Sequence, residues 1–270
     1  MYKLLVLDVD GTLLNDEGRI SPRNKEAIRK AQDRGVKVVL ASGRMFFITK
    51  KYADQLNLET PLITYNGALI KDKEDRIISH TPVPLGVTFQ VISFTREKKL
   101  HLNTYFEDTL YIEEENRFSR YYQNRYGVTP CVVLDLLKFY KEKKKSPTKL
   151  LVIIEPGEME KWFPLFQEKF SDKLYLTQSE GRHIELLHPQ VSKVFALKKI
   201  VDLYRIKREE IIAIGDGVND IEMIKYAGLG VAMENSSSLV KEVAEYIAPS
   251  NTKDGVAETI ERFILNKSGK

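Results

Sequence analysis

The stretch Leu4-Leu5-Val6-Leu7-Asp8-Val9-Asp10-Gly11-Thr12 decides how the chain is read. Four apolar residues without alternation fit a strand buried on both faces, and that strand runs directly into two aspartates and a glycine. Working outward, Ser21-Pro22 is a helix start: a serine cap with proline at the first helical position. Ile28 and Ala31 follow at helical spacing until Gly35 stops the helix. Residues 36–40 form a second apolar run, followed by Ala41-Ser42-Gly43 and a helix from about Arg44; residues 62–65 read as a third strand. Strands separated by single helices imply parallel pairing through right-handed crossovers.

The pattern changes after Asn66-Gly67. Ala68-Leu69-Ile70 and Ile77-Ile78 flank a charged segment and read as a hairpin. From position 84 the order becomes helix, strand pair (100–106 with 109–112), helix, helix, strand (149–154), helix, strand pair (174–177 with 182–187). This is a mixed α+β insert of about 100 residues, enough for a core of its own. After His188-Pro189 the first pattern resumes, with a helix over 193–204 and a strand over 211–214. Gly215-Asp216-Gly217 then opens a helix, 229–232 and 246–247 read as strands, and 256–265 as a closing helix. The fold class expected is α/β: a Rossmann-like parallel-sheet core from residues 1–83 and 188–270, interrupted by an α+β cap domain over 84–187.

Composition narrows the function classes. Lys and Arg exceed Asp and Glu by 42 to 38, a net charge of +4. That surplus is too small and dispersed to predict a nucleic-acid partner. The basic run Lys141-Glu142-Lys143-Lys144-Lys145 precedes a Ser-Pro turn and reads as a solvated helix end. Cys131 is the single cysteine, so an internal disulfide and a thiolate metal cage are excluded. No stretch approaches the roughly 18 apolar residues of a membrane span, and the short apolar run at the start does not predict a signal peptide. A cytoplasmic protein without membrane or nucleic-acid partners is expected; the oligomeric state stays open.

In an open parallel sheet, ligands sit beyond the carboxyl ends of the strands. Here those ends carry Asp8 to Thr12, Ala41 to Arg44, Asn66-Gly67, and Gly215-Asp216-Gly217-Val218-Asn219-Asp220. Asp8, Asp10, Asp216 and Asp220 gathered at one edge would repel unless a hard cation neutralised them, and an all-oxygen set suits Mg²⁺. The histidines are scattered and lack metal-site spacing. Gly11, Gly43 and Gly217 let backbone N–H groups approach an anion; Thr12 and Ser42 add hydroxyls, and Lys193 stands at a helix start, where phosphate is favoured. Together these describe a phosphoryl-transfer site.

The same segments, with Val191-Ser192-Lys193 and Val231-Ala232-Met233-Glu234-Asn235, resemble the motifs of the haloacid-dehalogenase-like superfamily. The large insert resembles its Cof-type sugar-phosphatase branch. The resemblance implies Asp8 as nucleophile and Asp10 as acid/base. It implies Mg²⁺ held by the Asp8 carboxylate, the Asp10 backbone carbonyl and the Asp216 carboxylate. Ser42, the Gly43 amide, Lys193 and Asn219 would bind the phosphoryl group. Thr12, Asp220 and Asn66 are supporting residues, Asp220 orienting Lys193 or metal-bound water. Asn66-Gly67 reads equally as a turn or a substrate edge. The family usually has glycine after the motif lysine, where Val194 stands here; Lys198 and Lys199 are the alternatives on the same helix. The expected function is hydrolysis of a small phosphorylated metabolite through an aspartyl-phosphate. A phosphomutase and a receiver-like binding module are the alternatives.

Overall fold

The computed structural model of the chain describes residues 1–179 and 181–266. Contacts divide the chain into two units, Met1–Ser79 with Ser192–Lys270, and His80–Val191. The inserted unit is longer at both ends than the 84–187 read from the sequence. At the leading end the cause is local pairing: the Val83 N–H donates to Pro147 O at 2.8 Å, and the His80 ring lies 3.0 Å from Thr148 Oγ1.

The chain begins with β1 (Leu4–Leu7), α1 (Pro22–Asp33), β2 (Lys37–Leu40) and α2 (Phe46–Gln55). Then come β3 (Leu62–Thr64), β4 (Leu69–Lys71) and β5 (Ile77–His80). Helix α1 starts as its sequence dictates: Ser21 accepts the Asn24 N–H at 3.1 Å, Pro22 follows, and Ala27, Ile28 and Ala31 form the buried stripe. The insert runs α3 (Leu85–Glu97), β6 (His101–Phe106), β7 (Thr109–Ile112), α4 (Arg117–Tyr126), β8 (Cys131–Val132), α5 (Leu136–Lys143), β9 (Lys149–Ile153), α6 (Met159–Phe170), β10 (Tyr175–Ser179) and β11 (His183–Leu187). The chain returns through α7 (Lys193–Tyr204), β12 (Ile211–Gly215), α8 (Ile221–Tyr226), β13 (Leu229–Met233), α9 (Ser238–Lys241), β14 (Tyr246–Ala248) and α10 (Gly255–Ile260).

In the first unit the strand order is β14-β13-β12-β1-β2, every neighbour parallel. From β1 the chain steps to β2 on one side and later to β12 on the other. The topology therefore reverses between β1 and β12, which opens a crevice at their carboxyl ends. All residues of β1 are fully buried, as the unalternating apolar run requires.

The third strand departs from the sequence reading. Instead of extending the parallel sheet, β3 pairs antiparallel with β4 in a separate sheet ordered β3-β4-β5. It touches the main sheet through one parallel bridge, Ala41 to Ile63. The turn after it, where Tyr65, Asn66 and Gly67 have φ of 51°, 55° and 100°, folds the chain back into β4, while the Ser42 N–H still donates to Ile63 O at 2.8 Å on the β2 side.

The insert builds a sheet ordered β10-β11-β9-β6-β7-β8, antiparallel except for β7 with β8. Strand β8, absent from the sequence reading, is two residues long and carries no periodic signal. Alternation along the strands gives the sheet two unlike faces. One packs Leu102, Phe106, Leu150, Val152, Ile184 and Leu186 with Phe94, Phe166 and Phe170. The other carries Asn103, Tyr105, Lys149, His183 and Glu185, all buried. Tyr122 and Tyr126 of α4 lie against this face, with ring centroids 6.1 and 6.3 Å from His183. Among the described residues no helix is long and apolar enough to cross a membrane.

On that polar face Lys149 Nζ lies 3.0 Å from Glu185 Oε2, with side chains 5% and 7% exposed. Ser179 Oγ donates to the other carboxylate oxygen at 2.6 Å. Lys149→Met strands a buried carboxylate and is expected to cost about 3–5 kcal/mol in urea denaturation. Adding Glu185→Leu should recover most of that loss; a double variant no more stable than Lys149→Met would show that the pair is not what the site depends on.

Candidate active site

Strand β1 delivers Asp8 to the crevice at its carboxyl end, and β12 delivers Asp216 beside it. Asp8 is 5% exposed. The chain then makes a wide turn over Val9–Leu13, in which Gly11 takes φ +75°. A Cβ on Gly11 would lie 2.3 Å from Asp216 Oδ2, so only glycine lets this turn approach the second carboxylate. Thr12 Oγ1 donates to Asp216 Oδ1 at 2.8 Å and fixes that side chain.

Lys193 is the first residue of α7, behind a Ser192 cap that accepts the Phe195 N–H at 3.1 Å. It is 1% exposed, and its Nζ donates to Asp8 Oδ1 at 2.5 Å and to Asp220 Oδ1 at 2.6 Å. Val194 does not displace it. The alternatives lie elsewhere: Lys199 Nζ donates to Ser79 Oγ at 2.6 Å, and Lys198 lies over the Tyr226 ring. Asp220 works from both oxygens, since Oδ2 accepts the N–H groups of Asp216 and Gly217 at 3.2 and 3.0 Å. It thereby shapes the loop that carries Asp216 while holding Lys193.

The start of α7 is set by the turn at Asn66-Gly67. A Cβ on Gly67 would meet Ser192 O at 2.3 Å. Asn66 is buried, and its Oδ1 accepts Asn219 Nδ2 at 2.9 Å. The same oxygen would lie 3.0 Å from a Cβ on Gly43. Asn66 thus joins the Gly43 loop to the Asn219 loop, and the Asn219 amide is already engaged there. Ser42 is fully buried, with its Oγ accepting the Arg44 N–H at 3.0 Å.

Asp10 stands apart from this cluster. Its carboxylate is gripped by Arg44, whose Nε donates to Oδ2 at 2.8 Å and whose Nη2 donates to Oδ1. One oxygen each from Asp8, Asp216 and Asp220 lies within 4.8 Å of the others, a side-chain group that the Asp10 carboxylate does not join.

Three residues were not assigned any role by sequence reasoning. Arg44 adjoins Ser42-Gly43, so its position was the available signal. Asn235 closes a quoted motif, and its Nδ2 donates to Gly11 O at 2.8 Å. Asn251 Nδ2 donates to Leu14 O at 2.9 Å, and its N–H donates to Asn235 Oδ1. A lone asparagine in a loop gives no sequence signal.

The electrostatics call for a cation. Three carboxylates and one ammonium, if all ionised, sum to 1 − 3 = −2 in a buried cluster. Burial pushes the Asp8 carboxyl well above the usual range; Lys193 opposes this, and Asp220, Asp216 and Asp10 add to it. Burial, then the Asp220 charge, push Asp216 up to about 6. For Lys193 burial works against the charged form, but Asp220 and Asp8 outweigh it and raise its pKa. A divalent cation matches the missing charge, and the donors are all oxygen, so the residues fit Mg²⁺. Lys193 engages one oxygen each of Asp8 and Asp220, loop amides engage the second oxygen of Asp220, and Thr12 engages one oxygen of Asp216.

A carboxyl whose folded pKa is raised binds more protons folded than unfolded, so it lowers stability as pH rises through the interval between the two values. Without divalent ions, the melting temperature is therefore expected to fall as pH rises from about 4 through about 6, the folded value of Asp216. Added Mg²⁺ should raise it more at pH 7.5 than at pH 5, because protons compete for the same oxygens. An equal Mg²⁺ effect at both values would count against this cluster as the cation site.

The haloacid dehalogenase-like hydrolase family model matches residues 5–260. A 5-amino-6-(5-phospho-D-ribitylamino)uracil phosphatase of Bacillus subtilis is 35% identical, covering 97% of this chain and 96% of that protein. A haloacid dehalogenase-like hydrolase structure from Bacteroides thetaiotaomicron superposes with TM-score 0.87 at 32% identity, over 97% of this chain and 99% of the other. A Thermotoga maritima structure gives TM-score 0.85 at 32% identity, over 97% of each chain.

Proposed function

The chain belongs to the haloacid dehalogenase-like hydrolases, and on that premise we propose that it is a Mg²⁺-dependent phosphatase that moves the phosphoryl group of a small phosphorylated metabolite to Asp8 and then to water. The observation that carries the reading is the buried Asp8 carboxylate, held by Lys193 beside Asp216 at the carboxyl ends of β1 and β12.

In the first step an Asp8 oxygen attacks phosphorus, the bond to the leaving oxygen breaks, and Asp10 supplies the proton that oxygen takes up. In the second, Asp10 accepts a proton from water, which attacks the aspartyl-phosphate and frees Asp8 and inorganic phosphate. Lys193, the Ser42 hydroxyl and the Gly43 amide offset the charge on the phosphoryl oxygens, with Asn219 beside them; Asn66 holds Asn219 in place. Mg²⁺, held by the Asp8 and Asp216 carboxylates and the Asp10 backbone carbonyl, would supply Lewis-acid stabilisation when bound. Asp220 and Thr12 position Lys193 and Asp216.

The relative's named substrate is a phosphorylated ribityl compound, which supports a sugar or polyol phosphate for this chain. We assign the choice among such esters to the inserted unit, and the work of the enzyme to the cytoplasm. Replacing the inserted unit, residues 80–191, by a short Gly/Ser linker should abolish preference among natural esters while slow Mg²⁺-dependent aryl phosphate hydrolysis continues. An unchanged ranking of kcat/KM from a folded product would locate specificity in the first unit.

A screen of phosphorylated metabolites with Mg²⁺, scored by free phosphate and by isomer formation, tests the reaction itself; isomer without phosphate would make the chain a mutase. Asp8→Asn is expected to abolish turnover with the fold intact, and activity within about tenfold of the parent would remove Asp8 as nucleophile. Asp10→Asn should lower kcat by about 10²–10⁴ while keeping Mg²⁺ affinity, whereas Asp216→Asn should lose that affinity. Calorimetric titration with Mg²⁺ separates the two.

A further inference from the structure

Arg44 takes no part in the reaction set out above, yet it holds the acid/base group from both sides. Nε donates to Asp10 Oδ2 at 2.8 Å and Nη2 donates to Oδ1, so the planar fork meets both carboxylate oxygens. The remaining nitrogen, Nη1, donates to Tyr52 Oη at 3.1 Å, and the guanidinium carbon lies 5.5 Å from the Tyr52 ring centre. Arg44 is also fixed through its backbone: its N–H donates to Ser42 Oγ at 3.0 Å, and its carbonyl accepts the Tyr65 N–H at 3.0 Å.

The asymmetry of exposure matters. The Arg44 side chain is 11% exposed and that of Asp10 is 44% exposed. An exposed arginine would follow the carboxylate; here the arginine is the fixed member and the aspartate the one being held. Asp10 sits on the turn Val9–Leu13 with φ −81° and ψ 124°, outside helical backbone. Without a partner its side chain would be free to rotate among staggered wells, only one of which aims the carboxyl at a given atom.

We propose that Arg44 is a positioning residue that orients the Asp10 carboxylate for proton transfer, anchored in turn by Tyr52. The proposal rests on the acid/base reading of Asp10 given above. It makes the fork geometry essential: a lysine keeps the charge but offers a point donor on a flexible stem and cannot fix both oxygens. Loss of orientation acts on the proton-transfer step and leaves substrate binding alone. It should therefore lower kcat by about 10²-fold, the scale of a misplaced catalytic group, at nearly constant KM.

The test is a double-mutant cycle on an alkyl phosphate found in the metabolite screen, using the full chain with Mg²⁺. Arg44→Ala should reduce kcat by about 10²-fold with KM little changed, and should cause no further loss in an Asp10→Asn background. Arg44→Lys, which preserves the charge and guards against a folding defect in the alanine variant, should recover only part of the rate. Tyr52→Phe should show a smaller loss, again confined to kcat. Losses in Arg44→Ala and Asp10→Asn that multiply, or a change carried by KM, would overturn the proposal and make Arg44 a substrate contact or a structural residue. Full activity in Arg44→Lys would overturn it too, since charge alone would then suffice. If Asp10→Asn itself keeps the parental kcat, the acid/base reading fails first and the proposal falls with it. If Asp10→Asn is slow and the cycle is additive, the proposal alone fails.

Discussion

The ammonium of Lys193, fixed between Asp8 and Asp220, is the interaction on which the rest of the site depends. Two carboxylates share one cation in a place that water hardly reaches. Breaking one side of such an arrangement leaves an unpaired buried charge, which is far costlier than the pair is worth when whole. The arrangement also couples distant parts of the chain. Lys193 opens α7, Asp8 ends β1, and Asp220 belongs to the loop after β12 and pins that loop through two backbone N–H groups. Moving any one of the three elements would unseat the other two.

Close backbone approach makes that convergence possible. Gly11 takes a left-handed conformation against Asp216, where any side chain would collide. Gly67, at φ +100°, lets the turn after β3 rest on the Ser192 carbonyl just ahead of Lys193. The left-handed backbone of Tyr65 and Asn66 leads into the Gly67 contact that sets the position of α7, and Asn66 extends the tie to Asn219. The deficit of positive charge that remains in the cluster follows from the same crowding, and it gives the proposed Mg²⁺ its physical warrant.

The inserted unit solves a different problem. Its sheet has an aromatic and aliphatic face with three helices against it and a second face of buried polar groups, including the Lys149–Glu185 pair. A polar face so thoroughly buried adds little net stability compared with apolar packing. The two units thus have separate cores with different logic: parallel and apolar on both faces in one, antiparallel and two-faced in the other.

The sequence by itself determined the α/β class, the interrupted core, and the aspartates at the ends of β1 and β12. These were legible because buried parallel strands are unbroken apolar runs, and because the strand end dictates which residues meet the crevice. Ser21-Pro22 and Lys193 were legible as helix starts for equally local reasons. Which residues meet across the fold was decided only by tertiary structure. The hairpin from β3 into β4 turns on three consecutive left-handed residues, which Asn66-Gly67 signals as a turn but which Tyr65 does not advertise. Val194 left the motif lysine in competition with Lys198 and Lys199; the strand ends and the Gly67 contact, not the helix sequence, bring Lys193 to Asp8. Arg44 on Asp10 and Asn235 on Gly11 are pairings between loops 34 and 224 residues apart in the chain. Local patterns record which backbone a segment prefers. Pairings at that separation depend on where each loop lands once the sheet has formed, and no local pattern carries that information.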